Sequence, residues 1–191
     1  MRTSSRPPAA GPRRMHGFSL LEALVILAIA AILLGVAVPS LQSFVGSVRT
    51  TSAANDLLAD LLLARTEAVK RHRRVVMCKS ADGSGCTLAG AWQQGWIMFV
   101  DTDEDGIRGP GETVLQRQAP LGAAVRLTGN ASLAKYVAYV GNGTTRQTGG
   151  GFQAGTLTIC RASDGPTSAR QIVINAAGRP RVQRTEVDRC V

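Results

Sequence analysis

Aromatic side chains are scarce in this chain, at 4% of 191 residues, and 21 glycines accompany them. That composition excludes a large aromatic-rich core, and the length allows one ordinary domain with something attached rather than a multidomain enzyme. Histidine is scarcer still: only His16 and His72 occur. Because His16 falls in a stretch expected to be removed, catalysis of the Ser/His or Cys/His type would have to rest on His72 alone, and the chain reads as a non-enzyme. The four cysteines, Cys78, Cys86, Cys160 and Cys190, include no C-x-x-C pair, which disfavours a zinc ribbon or a thiol redox motif and leaves disulfides in an oxidising compartment. Acidic residues are the minority charge, 13 against 22 lysines and arginines, for a formal net charge of +9. Such a surplus favours anionic partners without choosing among them.

What the chain has in abundance is an apolar run. Phe18 to Val38 is interrupted only by Ser19 and Glu22, and as a helix it would be roughly 31 Å long, enough to cross the hydrocarbon of a bilayer. Arg2, Arg6, Arg13 and Arg14 precede it with no acid among them, so the first residues are expected to stay in the cytoplasm and the remainder to face outward, where disulfides form. A carboxylate within such a span costs several kcal/mol by insertion scales, about 2.5–3.5 at the centre and less near the edge, and therefore needs a partner.

Gly17-Phe18-Ser19-Leu20-Leu21-Glu22 resembles the type III signal of type IV pilins and pseudopilins. The resemblance implies that a prepilin peptidase cuts between Gly17 and Phe18 and methylates the new amino terminus at Phe18. Glu22 then becomes the fifth mature residue, and Pro39 the twenty-second, where many pilins carry proline. A glutamate near the inner edge of the membrane can pair with the freed amine of a neighbouring subunit, so that both charges are satisfied only on assembly with other pilins. A start at Met15 would leave only Met-His-Gly before the cut; Arg13 and Arg14 favour the longer start. Loss of the leader removes four arginines and no acid, leaving a charge of +5.

After Pro39, which can bend the helix, apolar residues at Leu41, Phe44, Val45, Val48, Leu57, Leu58, Leu61, Leu62, Ala68 and Val69 recur mostly three or four apart. This spacing predicts an amphipathic helix to about Arg71. The run Lys70-Arg71-His72-Arg73-Arg74 is read as complementing the helix macrodipole rather than as a phosphate site. Short runs broken by glycine then predict antiparallel strands at 74–79, 96–100, 113–117, 125–128, 136–140, 156–161, 171–175 and 181–184. Nearest-neighbour pairing, Cys78–Cys86 and Cys160–Cys190, is the simplest of three connectivities. The expected fold is α+β and pilin-like: a leader at 1–17, a membrane half of the helix at 18–38, an amphipathic half at 39–72, and an antiparallel β-sheet domain at 73–191. Ala91 to Asp101, with its Gly-Trp-x-x-Phe-x-Asp run, and the following acidic turn and Gly111 to Leu115 resemble the globular domain of GspH-like and FimT-like proteins.

Three constellations bear on function. Asp101, Asp103, Asp105, Gly106 and Glu112 fit D-x-D-x-D-G-x5-E, a calcium-loop pattern. The segments on either side read as strands rather than helices, so the loop is taken as a solvated hairpin turn with calcium as its alternative, and no metal is assigned. The glycine-rich stretch from Gly141 to Gly151 lacks a G-K-[ST] ending and is read as a flexible surface loop; no nucleotide or other cofactor is implied. The third is the basic carboxyl end: residues 106–191 hold 11 Lys+Arg and 4 Asp+Glu, whereas 39–105 hold 7 and 8. Arg170, Arg179, Arg181, Arg184 and Arg189 crowd this end, and arginine forks onto phosphate oxygens better than lysine. In Gly178-Arg179-Pro180-Arg181 an extended backbone would set the two arginines on one side, roughly 6.6 Å apart. The segment resembles the G-R-x-R motif of FimT-like minor pilins. That resemblance implies DNA binding for natural transformation, led by phosphates and indifferent to sequence. The alternative is a GspH-like pseudopilin of type II secretion, or a structural minor pilin, in which the arginines are incidental.

Overall fold

A strand with six buried side chains in succession needs cover on both faces. Strand β1 (Arg74–Lys79) has that cover in the computed structural model, which describes residues 19–190. The chain divides into two units, 1–42 and 43–191, each considered by itself. Helix α1 (Leu20–Arg71) supplies residues to both.

In the first unit the helix is apolar on every side: Leu20, Leu21 and Ile32 are 82%, 74% and 70% exposed, and Leu24, Leu27 and Leu33 are exposed too. A helix apolar all round needs an apolar environment or partners. Among the described residues no helix is long and apolar enough to cross a membrane. The uninterrupted described stretch, Leu20 to Gly35, spans roughly 24 Å against about 30 Å of hydrocarbon. The span read from the sequence, 18–38, takes in Phe18 and the side chain of Val36, which lie outside the description. The helix continues past Pro39, which itself donates no backbone hydrogen bond.

In the second unit the remaining strands are β2 (Trp96–Asp101), β3 (Val114–Gln118), β4 (Val125–Gly129), β5 (Tyr136–Tyr139), β6 (Gly155–Arg161), β7 (Thr167–Ile174) and β8 (Pro180–Val187). They form two four-stranded antiparallel sheets, ordered β3-β2-β1-β5 and β4-β6-β7-β8, rather than one. Helix residues Ala53, Ala54, Leu57, Leu61, Ala64 and Ala68 join Val75 and Met77 of the first sheet and Leu127, Ile159 and Ile172 of the second in one buried cluster. Burial of each leucine contributes about 1.5–3 kcal/mol, and the alanines let the sheets approach closely. Leu62 and Val69, placed on the apolar face by spacing alone, are exposed. The other face of β1, Val76 and Cys78, packs with Ile97, Phe99 and Ala138. Buried Trp96 Nε1 donates to Asp60 Oδ2 at 2.8 Å, tying β2 to the helix. Burial pushes the Asp60 carboxyl up, against that hydrogen bond.

The basic run 70–74 does not act as one patch. Lys70 and Arg71 both pair with Glu67, Arg71 at 2.6 Å, whereas Arg74 enters β1 and is buried. The glycine-rich stretch is not a loose surface loop either. Thr145 within it is fully buried and donates through Oγ1 to Gln153 O. Gln153, also fully buried, accepts from Ala138 N–H and donates to Ser132 O and Tyr136 O. Strands β7 and β8 run longer than expected because their backbones pair from Thr167↔Val187 to Ile174↔Pro180, through polar residues that carry no apolar alternation. The cysteines pair as Cys78–Cys86 and Cys160–Cys190.

Candidate functional site

The hairpin joining β7 and β8 closes on Asn175. Its carbonyl accepts from Gly178 N–H at 2.8 Å, and its side-chain oxygen accepts from Arg179 N–H at 3.0 Å. Gly178 is buried with φ +71°, and a Cβ there would collide with the carbonyl oxygen of Gly143. Glycine is therefore required at this position both by backbone conformation and by the close approach. Arg179 follows directly and is exposed, and Arg181 is exposed on β8, an edge strand.

Strand parity then separates the late arginines. Arg181 pairs with Val173 on one face of the sheet, whereas Arg184 pairs with Arg170 on the other, the face that carries Ile172 and Ile174 into the core. Thus Arg179 and Arg181 are two residues apart at the hairpin, and Arg170 and Arg184 belong to a different surface. Arg189 is exposed beside Cys190, on the tail pinned by Cys160. Arg161 had no place in the sequence reading, because it ends an apolar strand and looks like an ordinary solvated terminus. By parity with Ile159, which lies opposite Arg170, it joins the Arg170 and Arg184 face. Among the described residues none of these arginines has a carboxylate within 4.0 Å.

The acidic loop gathers ligand-type oxygens of Asp101, Asp103 and Asp105 within 4.8 Å of one another, and Gly106 turns the chain at φ +76°. Glu112 stands apart from that cluster. Its Oε1 accepts from Thr102 N–H at 2.6 Å and from the Thr102 hydroxyl at 3.1 Å, and its Oε2 accepts from Gly109 N–H at 2.8 Å. Asp101 is held by Gly106 N–H at 3.1 Å and lies 3.0 Å from Arg74 Nε, with both side chains buried. Burial pushes the Asp101 carboxyl up to about 6, against the pull of Arg74. These donors close the turn internally, so the carboxylates at both ends of the pattern serve the hairpin.

At the amino end, Ser19 Oγ accepts from Glu22 N–H at 3.2 Å, so Ser19 caps α1 and Glu22 sits in the first turn, where an acid complements the helix dipole. Gly17 and Phe18 lie outside the described residues.

The family model described as "Type II transport protein GspH" matches residues 53–178, from the buried half of the helix through the hairpin glycine. The chain belongs to the GspH family. A second model, the prokaryotic N-terminal methylation motif, matches residues 12–38 of this GspH-family chain. It is 28% identical over 170 residues to the pilin-like protein PilA1 of Thermus thermophilus, covering 88% of this chain and 98% of that one. Among solved structures it is similar to the type IV minor pilin FimU of Pseudomonas aeruginosa, with TM-scores of 0.55 and 0.51 in two crystal forms at 22% identity. Those matches cover 78% and 74% of this chain and 99% of FimU in each case. The likeness shows the pilin fold, α+β with antiparallel sheets. This GspH-family chain is thus a pilin-like structural protein and not an enzyme.

Proposed function

We propose that the chain is a FimT-like minor pilin that joins a type IV pilus and binds DNA without sequence preference, for uptake in natural transformation. In this reading a prepilin peptidase removes 1–17 and methylates Phe18. Residues 18–38 hold the subunit as a single pass in the inner membrane, with residues 39–72 and 73–191 in the periplasm, until Glu22 meets the amine of a neighbouring subunit in the filament. The observation that supports DNA as the partner is the pair Arg179 and Arg181 at the β7–β8 hairpin. Both are exposed, Arg179 in the turn and Arg181 on the edge strand β8, and both closely follow a glycine that tolerates no side chain. Arg189 is exposed beyond Val187, at the end of β8 away from the hairpin, and Arg184 is exposed on the other face of the strand. Arginine forks supply phosphate contacts that position DNA without reading bases.

A gel-shift assay of the detergent-solubilised full chain over a salt series tests the proposal. Contact with four phosphates gives a slope of log K against log salt near about −3.6 on duplex DNA, and Arg179→Gln with Arg181→Gln reduces its magnitude by about 1.8 while weakening all sequences alike. Absence of retardation at low salt overturns it. The family description, type II transport, favours a second reading as a pseudopilin; in that case the double variant leaves filament assembly and secretion intact and no DNA complex forms.

A further inference from the structure

A cavity of about 460 Å³ is lined by Gly46, Ser47 and Thr50 of the helix and by arginines from three successive strands of the second sheet, Arg161, Arg170 and Arg184. Register brings the arginines together: Arg170 lies directly opposite Arg184, and Ile159, two residues before Arg161, lies opposite Arg170. The face that is apolar at Ile159, Ile172 and Ile174 therefore ends in three guanidinium groups. Like charges directly opposite on adjacent strands repel, and among the described residues no carboxylate lies within ion-pair distance to relieve them. Glu186, opposite Ser168 on the same face, is exposed and unpaired by that criterion. The side chains are also oriented. Arg170 Nη2 donates to Thr51 Oγ1 at 3.2 Å, and Arg161 runs across Gly46, where an added Cβ would lie 3.0 Å from its Cδ and 3.3 Å from its Nη1.

We propose that this recess is an oxyanion site that takes the phosphate of a small phosphate monoester. Three guanidinium groups carry +3, enough to neutralise a phosphate dianion, each can fork onto its oxygens, and Ser47 and Thr167 add neutral hydroxyls to the lining. The volume falls in the range of small-ligand sites and exceeds what a bare phosphate needs, leaving room for an ester substituent. A recess admits a terminal phosphate on a stem, whereas the backbone of a duplex lies along a convex rod. The site is separate from the hairpin pair, since Arg181 projects from the opposite face of β8. It stands whether or not the hairpin binds DNA.

Methyl phosphate and inorganic phosphate, titrated at constant ionic strength into the full chain in a maltoside detergent and followed by phosphorus NMR line broadening, provide the test. Saturable broadening is expected with both. Arg161→Gln with Arg184→Gln weakens it at least about ten-fold, the loss of two charge-assisted hydrogen bonds, while Arg179→Gln with Arg181→Gln leaves it unchanged. Tryptophan fluorescence confirms that each variant is folded; if the glutamine pair does not fold, Arg161→Lys with Arg184→Lys replaces it and is expected to bind more weakly than the parent, because lysine lacks the fork. Broadening that does not saturate, or that is the same in the Arg161/Arg184 variants, overturns the proposal. So does displacement of methyl phosphate by a duplex lacking terminal phosphates, which would assign the recess to the DNA backbone.

Discussion

Arg74→Met is expected to lower stability through Asp101's ionisation by about 1.4 kcal/mol at pH 7, because without its partner the buried acid keeps there the proton that the parent has lost, and by more as the pH rises. The pH dependence distinguishes this cause from simple loss of packing. In the parent, burial holds the Asp101 carboxyl at about 6, above its ordinary 3.8. Between those values the folded chain holds a proton that the unfolded chain has released, so this group's contribution falls as pH rises from about 4 to about 6 and is level above that. Without Arg74 the folded-state value moves higher still, and the decline continues into the alkaline range at about 1.4 kcal/mol per pH unit. Urea unfolding of the full chain in detergent, followed by Trp92 and Trp96, both buried, measures it. Parallel stability curves for parent and variant from pH 6.5 to 8 would contradict the account. Methionine keeps the apolar stem of arginine and removes the charge together with the hydrogen bond from Arg74 Nη2 to Arg146 O, and only loss of the charge gives the pH-dependent part of the effect.

The second large effect concerns the tail. Cys160→Ser with Cys190→Ser is expected to cost about 3–4 kcal/mol, the chain-entropy value for a loop of this length, the cysteines being 30 residues apart. Both are buried beside Ala169, and Cys190 exchanges two backbone hydrogen bonds with Ser163, at 2.9 and 3.1 Å. The bridge thus anchors the chain just beyond β8, the edge strand that carries Arg181. Amides of β8 are expected to lose protection from hydrogen exchange in the variant while those of β1 keep theirs. An unchanged exchange pattern across β8 would show that the strand is held by pairing with β7 alone.

These two cases mark where the sequence was legible. Glycine, aromatic and glutamate in fixed order before an apolar run are local features, and so are the helix, most of the strands and the pairing of neighbouring cysteines. Arg74 and Asp101, by contrast, belong in sequence to two unrelated local patterns, a basic helix end and a calcium-type loop. Only the β1–β2 register, Arg74↔Asp101, reveals them as one buried pair. The same holds for Trp96 and Asp60, 36 residues apart, and for the division of the strands into two sheets. Within the basic end, the hairpin arginines could be grouped by the i, i+2 rule. Separating Arg184 from Arg181 and adding Arg161 required knowing which residue of β7 lies opposite which residue of β6 and β8. A one-residue change of register would reverse every face, and polar edge strands carry little alternation from which to read it.

The proposed function depends on a helix that is apolar on all sides and has one acid in its first turn, which in that reading a membrane holds until a filament covers it. The most direct measurement is the mass of the amino-terminal peptide of this chain in sheared filaments. The expected peptide begins at an N-methylated Phe18, and Glu22→Ala leaves the chain in the membrane fraction and absent from filaments. A filament chain that retains residues 1–17, or a Glu22→Ala chain incorporated as well as its parent, contradicts the account.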